Sequence, residues 1–245
     1  MTMIYFISDA HLGSLLIPDP REHENKLVQL LSTMKLDATA IYLMGDIFDF
    51  WFEYKTVIPK GYARLFGKIA ELTDAGIEVH FFIGNHDLWT FGYFEKELGM
   101  KVHYKPELVE LYGKRFFLAH GDGLSTGDTG FSILRKIFHS RFAQQLFALL
   151  PPYIGQKLGF AWSRQNRLNM KSEEFQGEEN ERLIIFAKEF IETEKVDYLV
   201  FGHRHIDLKL QLRYSAEMII LGDFIKLFSY GAFDGNEFHL LYFET

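Results

Sequence analysis

The sequence predicts an α/β protein in which a βαβ half is followed by a more antiparallel half. Three units of strand and then helix succeed one another from the N-terminus, with strands over Met3–Ser8, Thr39–Asp46 and Ile77–Asp87. From about Leu208 the pattern becomes strand after strand, with a turn signal at Asp234-Gly235-Asn236. The chain of 245 residues is long enough for one large domain, and no linker divides residues 1–245.

Apolar residues on one face predict the helices between these strands. The first helix carries apolar residues at i, i+3, i+4 and i+7, namely Leu27, Leu30, Leu31 and Met34. The second helix carries apolar residues on one face from Tyr62 to Leu72. It is expected to end near Gly76, because glycine commonly follows the last turn of a helix. The later elements are a strand over Arg115–Asp122, a helix over residues 178–194 and a short buried strand over Tyr198–His205.

Composition excludes several classes of protein. The net charge of −7 argues against general binding to nucleic acid. The absence of cysteine excludes disulfide scaffolds and thiolate-ligated zinc or iron–sulfur sites, and it fits a reducing compartment. No segment resembles a signal peptide or approaches the ~20 apolar residues of a membrane span. We therefore expect a cytoplasmic protein that at most lies on a membrane surface.

Residues 129–171, which we call the cap, differ from the rest of the chain. This segment contains seven lysine or arginine residues and no acidic residue. An apolar stripe at helical spacing comprises Phe131, Leu134, Ile137, Phe138, Phe142 and Leu146. A basic amphipathic helix can rest on an anionic membrane surface, but packing of the stripe on the rest of the domain explains it equally well. Both interpretations stay open at this point.

Polar residues able to bind metal follow each of the predicted strands. In chain order they are Asp9 and His11, Asp46 and Asp49, Asn85 and His86, His120 and Asp122, and His203 and His205. In α/β sheets, ligands bind outside the carboxyl ends of the strands. We therefore expect these side chains to converge on one crevice.

The chemistry of these donors predicts a metal centre with two ions. Imidazole and carboxylate donors without thiolate suit Mn, Fe, Zn or Ni better than Ca or Mg. Three Asp or Asn oxygens and four imidazoles from this set already exceed the needs of one ion. Two ions that share a carboxylate would use all seven of these donors. Two metals ~3.5–4 Å apart form a clamp for in-line displacement at phosphorus. The other histidines lack this context and are expected in the core or at the surface, namely His23, His80, His103, His139 and His239.

The motifs D-x-H, G-D-x-x-D, G-N-H-D, H-G-D and G-H-x-H, in this order, resemble those of the calcineurin-like metallophosphoesterases. The resemblance extends from Asp9 to His205 and implies a four-layer α/β/β/α sandwich with two divalent metal ions. It implies that one ion is held by Asp9, His11, Asp46 and His205. It implies that the other is held by Asp46, Asn85, His120 and His203. Manganese is the expected metal, and iron and zinc also accept these donors.

The same resemblance implies roles for two residues beside the ligands. His86 matches the family's outer histidine, which protonates the leaving oxygen or stabilises its charge. Asp49 is the expected orienting partner of that imidazole. We therefore expect His86 and Asp49 to be the catalytic residues of a metal-dependent phosphoester or diphosphate hydrolase.

The stretch HGDGLSTGDTGFSILR (120–135) resembles the UDP-2,3-diacylglucosamine diphosphatases of lipid A synthesis. This resemblance implies a UDP-linked glycolipid substrate, whose diphosphate is cleaved to UMP and 2,3-diacylglucosamine 1-phosphate (lipid X). It also implies that the cap covers the active site and holds the acyl chains. The resemblance makes Asp122, Thr126, Asp128 and Arg135 candidates for substrate binding. Further candidates that could reach phosphate or sugar are Arg164, Arg167, Asn169 and Lys171.

The chain departs from this subfamily at His86, where the diphosphatases typically have arginine. Two other functions therefore stay open. One is a phosphodiesterase or pyrophosphatase that acts on a soluble nucleotide or on another lipid diphosphate. The other is a metal-free interaction module on the same fold, which we would expect to have lost some of the ligands.

Overall fold

The computed structural model describes residues 2–124, 137–169 and 174–244. In the described residues the strands are β1 (Met3–Ile7), β2 (Ala38–Leu43), β3 (Glu78–Phe82), β4 (Lys101–His103), β5 (Glu107–Leu111), β6 (Lys114–Leu118), β7 (Tyr198–Phe201), β8 (Asp207–Gln211), β9 (Glu217–Leu221), β10 (Ser229–Phe233) and β11 (Phe238–Tyr242). The α-helices are α1 (Pro20–Met34), α2 (Ala63–Asp74), α3 (Tyr93–Leu98), α4 (Arg141–Ala148), α5 (Pro152–Asn169) and α6 (Arg182–Phe190).

The strands form two sheets. The first has six strands in the order β11-β10-β1-β2-β3-β4, of which β1 to β4 are parallel and β10 is antiparallel to β1. The second has five strands in the order β5-β6-β7-β9-β8, with β6, β7 and β9 parallel and an antiparallel strand at each edge. Parallel strands place their carboxyl ends at one edge of a sheet, where ligands bind.

Three apolar layers hold the two sheets and their helices together. Successive strand residues point to opposite faces, so Ile7 packs toward α1 and α2 while its neighbour Phe6 packs between the sheets. On the second sheet, Leu118 points to the same central layer and Phe117 packs toward α6. The order is therefore helices, sheet, sheet, helix, which confirms the four-layer α/β/β/α sandwich.

Side-chain caps define where the helices of the first layer begin. The carboxylate of Asp19 accepts hydrogen bonds from the backbone N–H groups of Arg21 and Glu22 and so caps α1. Glu24, which is buried on α1, accepts from the N–H groups of Arg64 and Leu65 at 3.0 and 3.1 Å. One helix thereby caps the next, and this contact orients α1 against α2.

The predicted antiparallel half is divided between the two sheets. The β8–β9 pair is antiparallel and completes the second sheet, but β9 is parallel to β7. The β10–β11 pair returns to the first sheet and covers the edge of β1. A local hydrophobic pattern predicts that a strand exists, whereas its partner depends on contacts that are distant in sequence.

The two helices of the cap pack on the core through aromatic side chains. Phe138, Phe147 and Phe160 contact a cluster around Phe50 and Trp89, which lie in the loops after β2 and β3. The Trp89 indole N–H donates to the carbonyl of Phe138 at 2.8 Å.

The opposite side of the cap is exposed, including Phe142 (76%), Leu149 (80%) and Tyr153 (75%). The stripe predicted from sequence therefore packs on the core at Phe138, while Ile137, Phe142 and Leu146 are exposed. Phe131 and Leu134 lie outside the described residues. No helix in the described ranges has the length and apolar character needed to cross a bilayer.

His80 on β3 is a buried histidine outside the strand-end crevice. Its Nδ1 lies 2.9 Å from Nε2 of His103 on β4, and its ring stacks on Tyr42 with centroids 4.2 Å apart. Burial lowers the pKa of His80 from 6.5 to about 4, although Glu78 acts in the opposite direction. The folded protein therefore keeps this imidazole neutral at pH values where the unfolded chain protonates it.

The free energy of unfolding is expected to fall as the pH drops from 6.5 to 4, because the unfolded state binds a proton at His80 in this range and the folded state does not. The contribution lost at pH 4 is of the order of 3 kcal/mol. Urea unfolding between pH 7 and 4 measures it, and His80→Gln should flatten the dependence. An equally steep dependence in His80→Gln, or the same flattening in the control His239→Gln, would contradict this assignment.

Candidate metal centre

The carboxyl ends of β1, β2, β3, β6 and β7 meet at one crevice, as the sequence predicts. Three groups of side chains there have potential ligand atoms that all lie within 4.8 Å of one another. They are Asp9 with His11 and His205, Asp46 with His120 and His203, and His11 with Asp46 and His86.

The first group lies at the end of β1. The Oδ1 atom of Asp9 is 3.6 Å from Nε2 of His11 and 3.3 Å from Nε2 of His205. The other carboxylate oxygen of Asp9 accepts hydrogen bonds from the Ser8 hydroxyl and the backbone N–H of His203. One oxygen is thus held by the protein, and the other faces the imidazoles.

Asp46 lies between the two groups. Its Oδ2 atom is 3.3 Å from Nε2 of His120 and 3.7 Å from Nε2 of His11. Its Oδ1 atom accepts a hydrogen bond from the backbone N–H of His86 at 2.9 Å. This carboxylate has the position that a shared ligand of two ions needs.

The backbone at these positions is strained. Asp9, His11, Asp46, His203 and His205 all have φ between 44° and 68°, in the left-handed region that residues other than glycine rarely adopt. Such conformations cost of the order of 1–3 kcal/mol each and cluster at functional sites. The fold therefore holds five of the seven predicted ligands in unfavourable conformations.

Two glycines allow the strand-end loops to approach one another closely. A Cβ atom at Gly84 would lie 2.1 Å from Oδ1 of Asp46, and one at Gly202 would lie 1.9 Å from the Ser8 hydroxyl and 2.6 Å from Oδ2 of Asp9. No larger residue fits at either position. This close approach is the physical reason for glycine in the G-N-H-D and G-H-x-H motifs.

Outer partners orient three of the imidazoles. His120 Nδ1 lies 2.9 Å from the carbonyl oxygen of Met44, an arrangement in which Nδ1–H donates and Nε2 faces Asp46. His11 Nδ1 lies 3.4 Å from Oδ1 of Asp49, and His205 Nδ1 lies 3.7 Å from Oδ2 of Asp223. Oxygen acceptors at one ring nitrogen are typical of metal-binding histidines, because they orient the other nitrogen toward the ion.

The donors present fit a metal ion. Asp9 Oδ1, Asn85 Oδ1 and His120 Nε2 are buried and make no hydrogen bond with any residue that the structure describes. A buried polar atom without a partner is costly, and metal coordination would remove that cost. Burial alone would raise the pKa of Asp46, but the imidazoles of His120, His86 and His11 more than offset it and hold that pKa well below its usual value. The carboxylate is therefore ionised and able to bind a cation.

Asp87 and Asp223 support the crevice, although the sequence motifs predict no role for either residue. Asp87 is fully buried and accepts hydrogen bonds from the backbone N–H groups of Asp46, Ile47, Phe48 and Gly84. It thereby fastens the loop after β2 to the loop after β3. Asp223 follows β9 in another Gly-Asp pair at a strand end, and that repetition is the sequence signal that could have identified it.

His86 and Asp49 lie together at the side of the crevice. His86 Nδ1 is 2.8 Å from the backbone carbonyl oxygen of Asp49, so Asp49 contacts this imidazole through its main chain. The carboxylate of Asp49 lies beside His11 and accepts a hydrogen bond from the Ser163 hydroxyl of α5 at 2.7 Å. Ser163 therefore links the cap to a residue that orients a predicted ligand. Burial lowers the pKa of His86, although Asp46 opposes this effect.

Only some of the predicted substrate-binding residues lie within the described residues. Asp122 lines a cleft beside His120. Arg164 is exposed on α5, and Arg167 and Asn169 belong to the C-terminal part of this helix. The candidates outside the described residues are Thr126, Asp128, Arg135 and Lys171.

Comparisons with known proteins identify the family of this chain. The family model for calcineurin-like phosphoesterases matches residues 2–207. A protein of Porphyromonas gingivalis named UDP-2,3-diacylglucosamine hydrolase is 42% identical over 95% of this chain and 94% of its own length. A protein of the same name from Hamiltonella defensa is 32% identical over 82% of this chain and 76% of its own length. Among solved structures, a dimetal phosphatase of Danio rerio has a TM-score of 0.48 and 13% identity over 99% of both chains. With the family model across most of its length and a relative matched almost end to end, the chain belongs to the calcineurin-like phosphoesterases, and it is a metal-dependent hydrolase.

Proposed function

We propose that this protein hydrolyses the diphosphate of UDP-2,3-diacylglucosamine to UMP and 2,3-diacylglucosamine 1-phosphate in lipid A biosynthesis. The observation that carries the proposal is the 42% identity, over nearly the whole of both chains, to the UDP-2,3-diacylglucosamine hydrolase of Porphyromonas gingivalis. The crevice supports it, because seven imidazole, carboxylate and amide donors are suited to phosphoryl chemistry with two metal ions.

Two divalent ions fit the two groups of donors, with manganese as the preferred metal and iron or zinc as alternatives. In this assignment Asp9, His11 and His205 would hold one ion. Asn85, His120 and His203 would hold the other, and Asp46 would be shared by the two groups. When bound, the ions supply a nucleophilic water at neutral pH and neutralise the phosphoryl oxygens.

The protein residues then position the substrate and move a proton. Because His86 Nδ1 is oriented toward the Asp49 carbonyl, Nε2 is the nitrogen that is able to exchange a proton with the leaving oxygen. Asp87 holds the two loops that carry Asp46 and His86. Ser163 and Asp49 connect the cap to the orientation of His11.

Replacement of His86 by alanine is expected to lower kcat about 100-fold or more, because general acid–base catalysis typically contributes ~10²–10⁴-fold. Steady-state kinetics of UDP-2,3-diacylglucosamine hydrolysis measure this loss. The metal content of His86→Ala, measured in parallel, should equal that of the wild type. A metal content that falls together with kcat would make His86 a ligand instead of a proton donor.

An apolar cleft beside His86 suits the lipid part of this substrate. The cleft has a volume of about 270 Å³ and is lined by Phe50, Trp51, Asn85, His86, Leu88, Trp89, Phe138 and Trp162. Phe138 and Trp162 come from the cap, so the cap forms one wall. Movement of the cap would enlarge the cleft for the acyl chains.

The exposed side of the cap suits an anionic membrane. Phe142, Leu149 and Tyr153 are three-quarters or more exposed, and the exposed cations Arg141 and Lys157 lie in the same two helices. No acidic residue occurs in residues 129–171 to repel anionic headgroups. We propose that this side rests on the cytoplasmic surface of the inner membrane, where a lipid substrate can enter.

The double variant Phe142→Ser/Leu149→Ser should bind phosphatidylglycerol vesicles about tenfold more weakly, because it removes apolar area from the contact. Vesicle sedimentation measures the affinity. Leu36→Ser, at a site that is 86% exposed and outside the cap, is the matched control and should bind as the wild type does. Equal binding by the double variant would exclude this side as the membrane contact.

The test of the proposed substrate is the release of UMP from UDP-2,3-diacylglucosamine in the presence of Mn²⁺, with UDP-N-acetylglucosamine as a soluble control. We expect rapid release from the lipid substrate alone. Comparable or exclusive hydrolysis of the soluble control would reject the lipid assignment and favour a nucleotide pyrophosphatase with the same metal centre.

A further inference from the structure

A second cleft opens on the His120 side of the metal centre. It encloses about 390 Å³ of space, part of which is open to solvent. Its lining includes His103, Tyr104, Lys105, Pro106, His120 and Asp122, and we call it the polar cleft. The loop between β4 and β5 forms its outer wall.

The polar cleft and the apolar cleft lie on either side of one short loop. Gly84 lines the polar cleft, whereas the next two residues, Asn85 and His86, line the apolar cleft. A substrate whose diphosphate lies at the metal centre therefore has two directions in which its two halves can extend. One direction is lined mainly by aromatic and aliphatic side chains. The other is mixed, because Phe82, Ile83 and Leu124 lie there beside the polar and charged side chains of Tyr104, Lys105 and Asp122.

From this arrangement we propose that the polar cleft binds the uridine nucleotide half of the substrate, with Tyr104 and Lys105 as specificity-determining residues. The proposal rests on the proposed function, since it assumes a UDP-linked lipid. Uracil and ribose carry carbonyl, N–H and hydroxyl groups, which would be left without partners among the aromatic walls of the apolar cleft. The diacyl half has the opposite preference.

Tyr104 has the properties of a platform for uracil. Its side chain is 47% exposed, and its hydroxyl donates to Oε1 of Glu95 at 3.1 Å. The ring is thereby held while part of its surface stays open to the cleft. Stacking of a base on an aromatic side chain favours binding, because every base presents a π-face to the ring.

Lys105 supplies a cation beside this platform. Among the described residues, no carboxylate lies within 4.0 Å of its ammonium group, whereas Lys101 on β4 is paired with Glu78 at 2.6 Å. The Lys105 ammonium is therefore available to donate to oxygen atoms of the nucleotide beyond the reacting phosphate. Asp122, which follows β6, also lines the polar cleft.

The experiment uses Tyr104→Ala and Lys105→Ala, with Lys101→Ala as the matched control. Hydrolysis of bis(p-nitrophenyl) phosphate, which contains no nucleotide, reports the metal centre and should be unchanged in all three variants. Inhibition of this reaction by UMP should weaken about tenfold in the first two variants, whereas inhibition by inorganic phosphate should not change. The KM for UDP-2,3-diacylglucosamine should rise by a similar factor, with kcat nearly unchanged.

UMP inhibition and KM values equal to those of the wild type in both Tyr104→Ala and Lys105→Ala would overturn the nucleotide site. Equal weakening of inhibition by UMP and by inorganic phosphate would also overturn it, because the effect would then lie at the metal centre. The wild type could fail to hydrolyse the lipid substrate while the two variants still show selectively weaker inhibition by UMP. That result would reject the proposed substrate and support the nucleotide site. The two proposals can thus fail separately.

Discussion

Replacement of His11 by alanine is expected to lower kcat about 1,000-fold or more, equivalent to about 4 kcal/mol of lost transition-state stabilisation. His11 is the residue that connects the two groups of donors, because its Nε2 lies 3.6 Å from Asp9 and 3.7 Å from Asp46. The side chain of His11 is almost fully buried, so its replacement by alanine leaves a gap between these two carboxylates. Steady-state kinetics combined with elemental analysis of the purified variant measure both the activity and the metal content.

The control for this variant is His239→Ala, at a half-buried histidine on β11 that lies far from the crevice in sequence and beside Asp234. It should retain both the activity and the metal content of the wild type. Wild-type turnover by His11→Ala would contradict the assignment of the crevice as the metal centre. An intact metal content with lost turnover would instead show that His11 acts on the substrate.

Removal of divalent metal by a chelator is expected to abolish turnover, and added Mn²⁺ should restore it. Asp9 and Asp46 are buried carboxylates whose pKa values are held below the usual range by surrounding imidazoles, despite the opposing effect of burial. Bound cations would stabilise these charges, and ligand at 100 times its Kd adds about 2.7 kcal/mol of stability. For a domain of this size we expect Tm to rise by several degrees on reloading.

Calorimetric titration of the chelator-treated protein with Mn²⁺ gives the stoichiometry, for which two ions per chain are expected. Parallel titrations with Fe²⁺ and Zn²⁺ rank the three metals. One ion per chain would contradict the bridging role of Asp46. Full activity after chelation would contradict a role for metal in turnover and leave the orphaned donor atoms of the crevice unexplained.

The sequence was sufficient to predict most of the strand-end chemistry. Each ligand-bearing motif is local, because a buried strand followed at once by Asp9 and His11, or by His203 and His205, is visible in a few residues. Parallel strands bring their carboxyl ends together, so convergence of the motifs followed from the predicted fold class. The glycines beside these motifs are local signals of the same kind. The structure explains why glycine is needed, because Gly84 approaches Asp46 too closely for a larger residue.

Local patterns did not predict how Asp49 and Asp223 act. Asp49 reaches His86 with its main-chain carbonyl and His11 with its carboxylate, and only the conformation of the loop decides which group faces which imidazole. Asp223 lies beside His205 because β9 pairs with β7. That pairing joins residues about 20 positions apart, and no local hydrophobic pattern in the sequence predicts it.

The sequence by itself determined the α/β class, the set of candidate metal donors and the basic, apolar character of the cap, since each depends on residue type and short-range spacing. Only the tertiary structure decided that β10 and β11 return to the first sheet, that Phe138 faces the core while Phe142 faces outward, and that a polar and an apolar cleft flank one metal centre. The physical reason is that strand pairing, side-chain burial and cavity shape arise from contacts between segments distant in the chain.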